Sequence, residues 1–170
     1  MKGYDIKKRS GGYTRWTYGT YSNDVRDLPS WLRNPFRRIG NKYNGRSMDL
    51  HQGRTSNMQP VNLRRNRGSD EAAQDWDIDR KGRIRSRVNP RKCLEAGKDG
   101  YLYRKVFLYD CHDGLWQRWD FFTDGRIRNK HHRFYLGVAY CGTNSDPNKQ
   151  SIELRNYEGG QCGEAQKWNF

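Results

Sequence analysis

Gln74-Asp75-Trp76-Asp77-Ile78, Gln117-Arg118-Trp119-Asp120-Phe121 and Gln166-Lys167-Trp168-Asn169-Phe170 are three versions of one pentapeptide. They recur at a spacing of roughly 45 residues, the mark of a repeated supersecondary unit. The similarity extends outward from them. Six residues after the first two tryptophans come Gly82-Arg83-Ile84-Arg85-Ser86 and Gly125-Arg126-Ile127-Arg128-Asn129, and a weaker version, Arg38-Ile39-Gly40-Asn41, precedes the first copy. Each unit next holds a short apolar run: Ser47-Met48-Asp49-Leu50, Cys93-Leu94-Glu95-Ala96 and Tyr135-Leu136-Gly137-Val138. A second alternating run follows: Val61-Asn62-Leu63, Val106-Phe107-Leu108-Tyr109 and Ile152-Glu153-Leu154.

Four short alternating segments per unit, punctuated by Gly, Asn, Asp and Pro, predict four β-strands in each repeat. Three repeats, at about 35–78, 79–122 and 123–170, then give about twelve strands. One unit cannot bury its apolar face alone, so the three must share a core. Trp168 and Phe170 are expected to pair beside the strand around Ile39, which closes the structure and hides its sheet edges. Each tryptophan is the natural plug of its unit. The glutamine beside it is expected to satisfy backbone groups in the adjacent loop, since a buried amide needs partners.

Composition agrees with an all-β reading. Hydrophobic residues make up 33% and mean hydropathy is -1.24. Aliphatic side chains are therefore scarce, but six Trp, eleven Tyr and six Phe each bury large areas. No stretch is long enough to cross a bilayer as a helix. The formal net charge of +14 favours polyanionic neighbours, or serves solubility, since the excess is spread along the chain.

Residues 1–34 lie outside the repeats and are expected to form an extended, basic, aromatic-rich arm. Tyr13, Arg15, Trp16, Tyr18, Tyr21 and Trp31 are its candidate docking residues for protein partners, because Tyr, Trp and Arg are enriched at interfaces. Folding back onto the repeats is the alternative.

No catalytic constellation is legible, so a non-enzymatic protein without cofactor is expected. The four histidines, His51, His112, His131 and His132, fall in polar turn-like contexts. Cys111 and His112 are neighbours in sequence, which in a strand sends them to opposite faces. The cysteines, at 93, 111, 141 and 162, form no Cys-x-x-Cys pair, which argues against a structural zinc site. Two readings stay open for them: two disulfides in an oxidising compartment, or free thiols in a reducing one. The start Met1-Lys2-Gly3-Tyr4-Asp5-Ile6-Lys7-Lys8 shows no apolar run behind its charges, so no signal peptide is visible.

The order Gly-Arg-Ile-Arg, Lys92-Cys93-Leu94-Glu95, Leu108-Tyr109-Asp110-Cys111, Gln117-x-Trp119 strongly resembles the ricin B-type lectin family. The resemblance implies a β-trefoil over residues 35–170 that binds a glycan or glycoprotein. It also implies a disulfide between Cys93 and Cys111. Cys141 and Cys162 do not occupy family positions, and they are expected to pair as the remaining two. Sugar sites of this family use an Asp after the Cys-x step, an aromatic closing the second alternating run, and polar groups beside Gln-x-Trp. A carboxylate accepts bonds from sugar hydroxyls while a flat ring covers the apolar pyranose face.

Carried over repeat by repeat, the first keeps Asp49 but has Arg64 in place of the ring and Ala73 before Gln74. The second has Glu95, Tyr109, and Trp116 before Gln117. The third has Gly137 in place of the carboxylate and Arg155 in place of the ring. Glu95, Tyr109, Trp116 and Gln117 are thus the best candidate site, with Asp49 second. Tyr109 and Trp116 serve equally well as packing residues. A rival reading is a docking subunit of a larger assembly, or the binding subunit of a toxin, that kept the trefoil and lost its sugar sites.

Overall fold

In a computed structural model of the chain, the described residues are 36–68, 71–98, 105–142 and 150–170. The expectations for the N-terminal arm fall outside them. The described residues form thirteen strands in one continuous, curled sheet. The first repeat contributes β1 (Arg37–Arg38), β2 (Gly40–Asn41), β3 (Ser47–Leu50), β4 (Gln59–Arg64) and β5 (Asp75–Ile78). The second contributes β6 (Ile84–Ser86), β7 (Lys92–Ala96), β8 (Val106–Asp110) and β9 (Trp119–Phe121). The third contributes β10 (Ile127–Asn129), β11 (Tyr135–Val138), β12 (Gln150–Arg155) and β13 (Trp168–Asn169).

The expected twelve strands become thirteen because the first is divided at Ile39. Its halves serve different partners. Arg37 and Arg38 pair with Trp76 and Asp75, whereas Gly40 and Asn41 pair with Asn169 and Trp168. The last strand therefore meets the first, and the closure read from the terminal Trp-Asn-Phe is present. The middle strands of each repeat form hairpins, β3–β4, β7–β8 and β11–β12. These hairpins meet one another through Gln59↔Leu108, Gln150↔Leu63 and the bridge Lys105↔Glu153. Three hairpins capping a barrel of paired first and last strands make a β-trefoil.

The core repeats with the sequence. Ile39, Ile84 and Ile127, then Met48, Leu94 and Leu136, then Leu63, Leu108 and Leu154, are fully buried threefold equivalents. Trp76, Trp119 and Trp168 fill the remaining space. Each indole Nε1 donates to a carbonyl in the β-strand preceding its repeat's hairpin turn: Met48 O at 3.1 Å, Leu94 O at 3.3 Å and Leu136 O at 2.9 Å. A tryptophan at this position therefore supplies apolar volume and satisfies its own polar atom. Each ring locks the barrel wall to the first hairpin strand, which in the first two repeats carries the candidate carboxylate, Asp49 or Glu95.

Both glycines of the Gly-Arg-Ile-Arg motif are required by close approach. Gly125 has a φ of 95°, and a Cβ there would stand 2.6 Å from the backbone oxygen of Trp168. Gly82, at 77°, would meet Trp119 O at 2.8 Å. The motif arginines are held within the fold: Arg83 pairs with Asp79, Arg85 with Asp77, Arg126 with Asp124 and Arg128 with Asp120. Among the described residues no helix is long and apolar enough to cross a membrane.

Candidate functional site

The three glutamines build three equivalent loops. Gln74 donates to Arg65 O and accepts from Arg67 N; Gln117 donates to Asp110 O and accepts from His112 N; Gln166 donates to Asn156 O and accepts from Glu158 N. All three are fully buried. The expected bracing of the adjacent loop is thus met in each repeat, and it fixes the chain just beyond the second hairpin strand.

In the second repeat, Glu95 lies opposite Phe107, and Tyr109 follows two residues later on the same face. The Glu95 carboxylate is 2% exposed. Its Oε2 accepts from Gln117 Nε2 at 2.6 Å and contacts His112 Nε2 at 2.7 Å. His112 Nδ1 in turn accepts the Gly114 N–H at 2.9 Å. Because a backbone N–H can only donate, the imidazole proton lies on Nε2 and points at the carboxylate. Glu95 Oε1 accepts no hydrogen bond among the described residues. The Tyr109 ring stands edge-on to His112, with centroids 6.5 Å apart. Glu95, Tyr109 and Gln117 are thus brought together, and His112 joins them.

Trp116 takes a different place. It packs against His131 at 4.8 Å, carries Lys98 Nζ 5.0 Å over its ring, and its buried Nε1 has no acceptor among the described residues. A Cβ on Gly114 would touch both His112 and Trp116 at 2.8 Å, so the two rings flank that glycine. Trp116 therefore borders the loop that carries His112 rather than contacting Glu95 through any hydrogen bond.

The first repeat places Asp49 opposite Asn62 with Arg64 two residues on. Asp49 is completely buried, with Arg67 Nη2 2.5 Å from Oδ2 and Arg64 Nε 3.7 Å from Oδ1. Arg64 also contacts His51 Nδ1 at 2.9 Å. Both carboxylate oxygens face a guanidinium, but only Oδ2 is hydrogen-bonded; Oδ1 and Arg64 Nε are buried with no hydrogen-bond partner among the described residues.

The third repeat has Arg155 lying across Gly137, where a Cβ would come within 3.0 Å of Arg155 Cδ. Arg155 is held by Glu158 through two nitrogens, at 3.1 and 3.0 Å, and by Glu153 at 2.5 Å. The Glu158 hydrogen bond, opposed by partial burial and reinforced by Glu153, raises the guanidinium above its ordinary pKa. A cleft of about 190 Å³ beside it is lined by Asp124, Arg126, Tyr157, Glu164 and Lys167 among others; Glu95 does not line it. Arg126 lies 4.7 Å over the Tyr157 ring and 5.2 Å over Tyr135, so a cation of the fold already covers these aromatics.

Sequence reasoning missed His112, Arg67 and Glu158 as site residues. The signal was present: each stands three residues after the ring position held by Tyr109, Arg64 or Arg155. It is masked from the other side, because the loops between these residues and their glutamines differ in length.

Cys93 is joined to Cys111 and Cys141 to Cys162, with Cα separations of 5.0 and 4.5 Å. The disulfide alternative therefore holds, and two such bridges fit an oxidising environment. The first anchors β7 to the end of β8, the two strands that carry Glu95 and Tyr109.

The family model described as ricin-type beta-trefoil lectin domain matches residues 35–168. Among solved structures, the chain is similar to the β-trefoil lectin of the Vibrio vulnificus hemolysin/cytolysin, solved with N-acetyl-D-lactosamine bound. The two are 19% identical over 79% of this chain and 92% of that one, with a TM-score of 0.62. It is also similar to the C-half of the earthworm R-type lectin in complex with GalNAc, at 17% identity over 79% and 96% of the two chains and a TM-score of 0.65. A third neighbour is GalNAc-T7 with UDP, GalNAc and Mn2+, at 19% identity and a TM-score of 0.58; there the match covers 79% of this chain but 22% of that one. At these identities the likeness shows the fold. No curated protein matches the chain by sequence.

Proposed function

The chain belongs to the ricin-type β-trefoil lectin family, and we propose that this carbohydrate-binding module takes sugar through one site, in the second repeat. Glu95 is the hydrogen-bonding carboxylate, held at Oε2 by Gln117 and His112 with Oε1 left to accept from sugar hydroxyls. Tyr109 supplies the ring for the apolar sugar face, and Gln117 sets both the loop and the carboxylate. The single observation that carries the reading is this tethered carboxylate, buried yet bonded through only one of its oxygens among the described residues. Asp49 is likewise hydrogen-bonded through only one oxygen among the described residues, but both its oxygens lie against guanidinium groups, Arg67 at Oδ2 and Arg64 at 3.7 Å from Oδ1, and Gly137 offers no carboxylate.

The ligand is a neutral sugar presented on a glycan or glycoprotein, for which GalNAc and N-acetyl-D-lactosamine, bound by two neighbours of the same fold, are the first probes. The two disulfides support a secreted protein meeting such surfaces. The role is recognition, with no chemistry performed on the sugar. Titration calorimetry of the whole chain with both sugars tests it, using Tyr109→Ala as the control. Binding that is lost in the variant supports the site; failure to bind either sugar at millimolar concentration sinks the proposal.

A further inference from the structure

Glu158 faces two ways. Its carboxylate accepts from Arg155 Nε at 3.1 Å and Nη2 at 3.0 Å, and Oε2 also stands 4.0 Å from Cys141 Sγ. Cys162 completes the group: the two sulfurs and one Glu158 oxygen lie within 4.8 Å of one another, and all three residues are half-buried. Among the described residues no other trio of histidine, cysteine or carboxylate groups is so placed, the Cys93–Cys111 bridge included. No Cys-x-x-Cys spacing announces the group, because the fold joins the turn Ala139–Gly142 to the short helix Gly160–Glu164.

We propose that reduction of the Cys141–Cys162 disulfide by a dithiol converts this corner of the third repeat into a site for one thiophilic divalent cation, with zinc the first candidate. The ligands are the two thiolates and Glu158, and water takes the fourth place. One thiolate of the dithiol attacks a bridge sulfur and expels the other cysteine as thiolate. The second thiol then attacks the mixed disulfide and releases the first cysteine. The dithiol, having lost two electrons, leaves as a cyclic disulfide, and its two protons pass to the cysteines. Metal binding releases those two protons again. The site is independent of sugar binding over Glu95.

The two bridges differ in their access to a reductant. Attack at Cys111 must leave Cys93 as a thiolate at a fully buried position, whereas both sulfurs of Cys141–Cys162 are half-buried and either can be attacked or leave. The two segments also stay together without the bridge. Gln161 Nε2 donates to Cys141 O at 3.5 Å and Val138 N to Ala165 O at 3.3 Å. Gly163 lies so close beneath that a Cβ there would stand 2.5 Å from Glu158 O.

The spacing suits the metal. Reduced sulfurs part to nonbonded contact, close to the roughly 3.8 Å that two thiolates span across a tetrahedral zinc. A thiolate and a carboxylate oxygen on the same ion span about 3.6 Å, against the 4.0 Å already present between Cys141 and Glu158. The charges balance as well: two thiolates and a carboxylate offset a divalent cation and Arg155. Arg155 keeps its bond to Glu153, and Glu158 Oε2 has a second lone pair for the metal. Two sulfurs and one oxygen select zinc over magnesium or calcium, which take oxygen ligands.

Cobalt(II), whose charge-transfer absorption reports thiolate ligation, is the probe on the full chain. A dithiol is added until peptide mass mapping shows Cys141–Cys162 open and Cys93–Cys111 closed, and circular dichroism checks the fold. The reduced chain is expected to bind one cobalt through thiolate, zinc should displace it, and the oxidised chain should show no thiolate band. Zinc should also protect Cys141 and Cys162 from alkylation. Glu158→Gln is expected to weaken zinc about tenfold or more, while Glu153→Gln, which touches Arg155 but offers no ligand, stays within about threefold of the parent. A folded, reduced chain without a thiolate band overturns the proposal, as does a Glu158→Gln chain that binds like the parent. So does opening of Cys93–Cys111 first. A chain that unfolds once Cys141–Cys162 alone is open overturns it too, because the site depends on the fold to hold its segments together.

Discussion

His112 Nε2 lies 2.7 Å from Glu95 Oε2, the same oxygen that accepts from Gln117 Nε2 at 2.6 Å. Two donors converging on one carboxylate oxygen leave the group little freedom to rotate. A preoriented acceptor loses less entropy on binding a ligand than a mobile one.

Glu95→Gln tests that convergence. A glutamine keeps the volume, but to satisfy Gln117 and His112 it must turn its carbonyl to them and present an amide N–H outward. The outward acceptor becomes a donor and its charge is gone. We expect GalNAc affinity to fall by about tenfold or more, the scale of a lost charge-assisted bond, with the fold intact by circular dichroism. Unchanged affinity would remove Glu95 from the site.

Gln117→Ala should cost stability as well as binding. It strips Asp110 O and His112 N of their partner and takes one of the two donors from Glu95. Leaving such groups unsatisfied costs about 1–3 kcal/mol. Gln74→Ala should cost a similar amount without touching the second site, because its contacts are Arg65 O and Arg67 N. Denaturant unfolding compares the two, and a neutral result for both would contradict the bracing role of the repeat glutamines.

Gly125→Ala places a methyl group 2.6 Å from Trp168 O at a φ of 95°. Both the contact and the left-handed backbone oppose it, so a loss of about 1–3 kcal/mol is expected. The damage should centre on the closure between the first and last strands, read as faster amide exchange at Trp168, whose N–H bonds Gly125 O at 2.8 Å. Protection equal to the parent's would show that the glycine is not required by that approach.

Asp110 carries a pH dependence of defined sign. Lys92 above all, with Asn57, bonds its carboxylate and holds the pKa below the ordinary value, against a smaller effect of burial. A depressed carboxylate favours the fold above the usual carboxylate range, and this contribution is lost as pH falls through its folded value, below about pH 4. Lys92→Met should move the Asp110 titration up toward normal, seen in its side-chain carbon shift. No movement on substitution would assign the depression elsewhere.

How much of this was legible in the residues follows from what each feature depends on. Trp76, Trp119 and Trp168 are core plugs wherever an all-β repeat places them, so three copies at near-even spacing revealed three repeats with a shared core and its closure, while the trefoil followed from the family resemblance. The division of the first strand at Ile39 was not visible, because it arises from two different partners arriving from distant parts of the chain. Glu95, Tyr109 and Gln117 could be named from the family resemblance; strand register then puts Glu95 and Tyr109 on one face, while Gln117 comes from the turn before β9. Trp116 could not be placed, for its neighbours His131 and Lys98 come from other segments. Nor could Arg67, His112 and Glu158 be named, because their role depends on which carboxylate or guanidinium each loop brings within reach. Pairing Cys141 with Cys162 by default was correct, but no local pattern announced it.

The most direct test of the account is a crystal structure of the full chain soaked with GalNAc at saturation. The account predicts one sugar, stacked on Tyr109 with a hydroxyl on Glu95 Oε1, and no sugar over Asp49 or Gly137. Sugar at either of those two places, or an empty second repeat beside a bound molecule elsewhere, would contradict it.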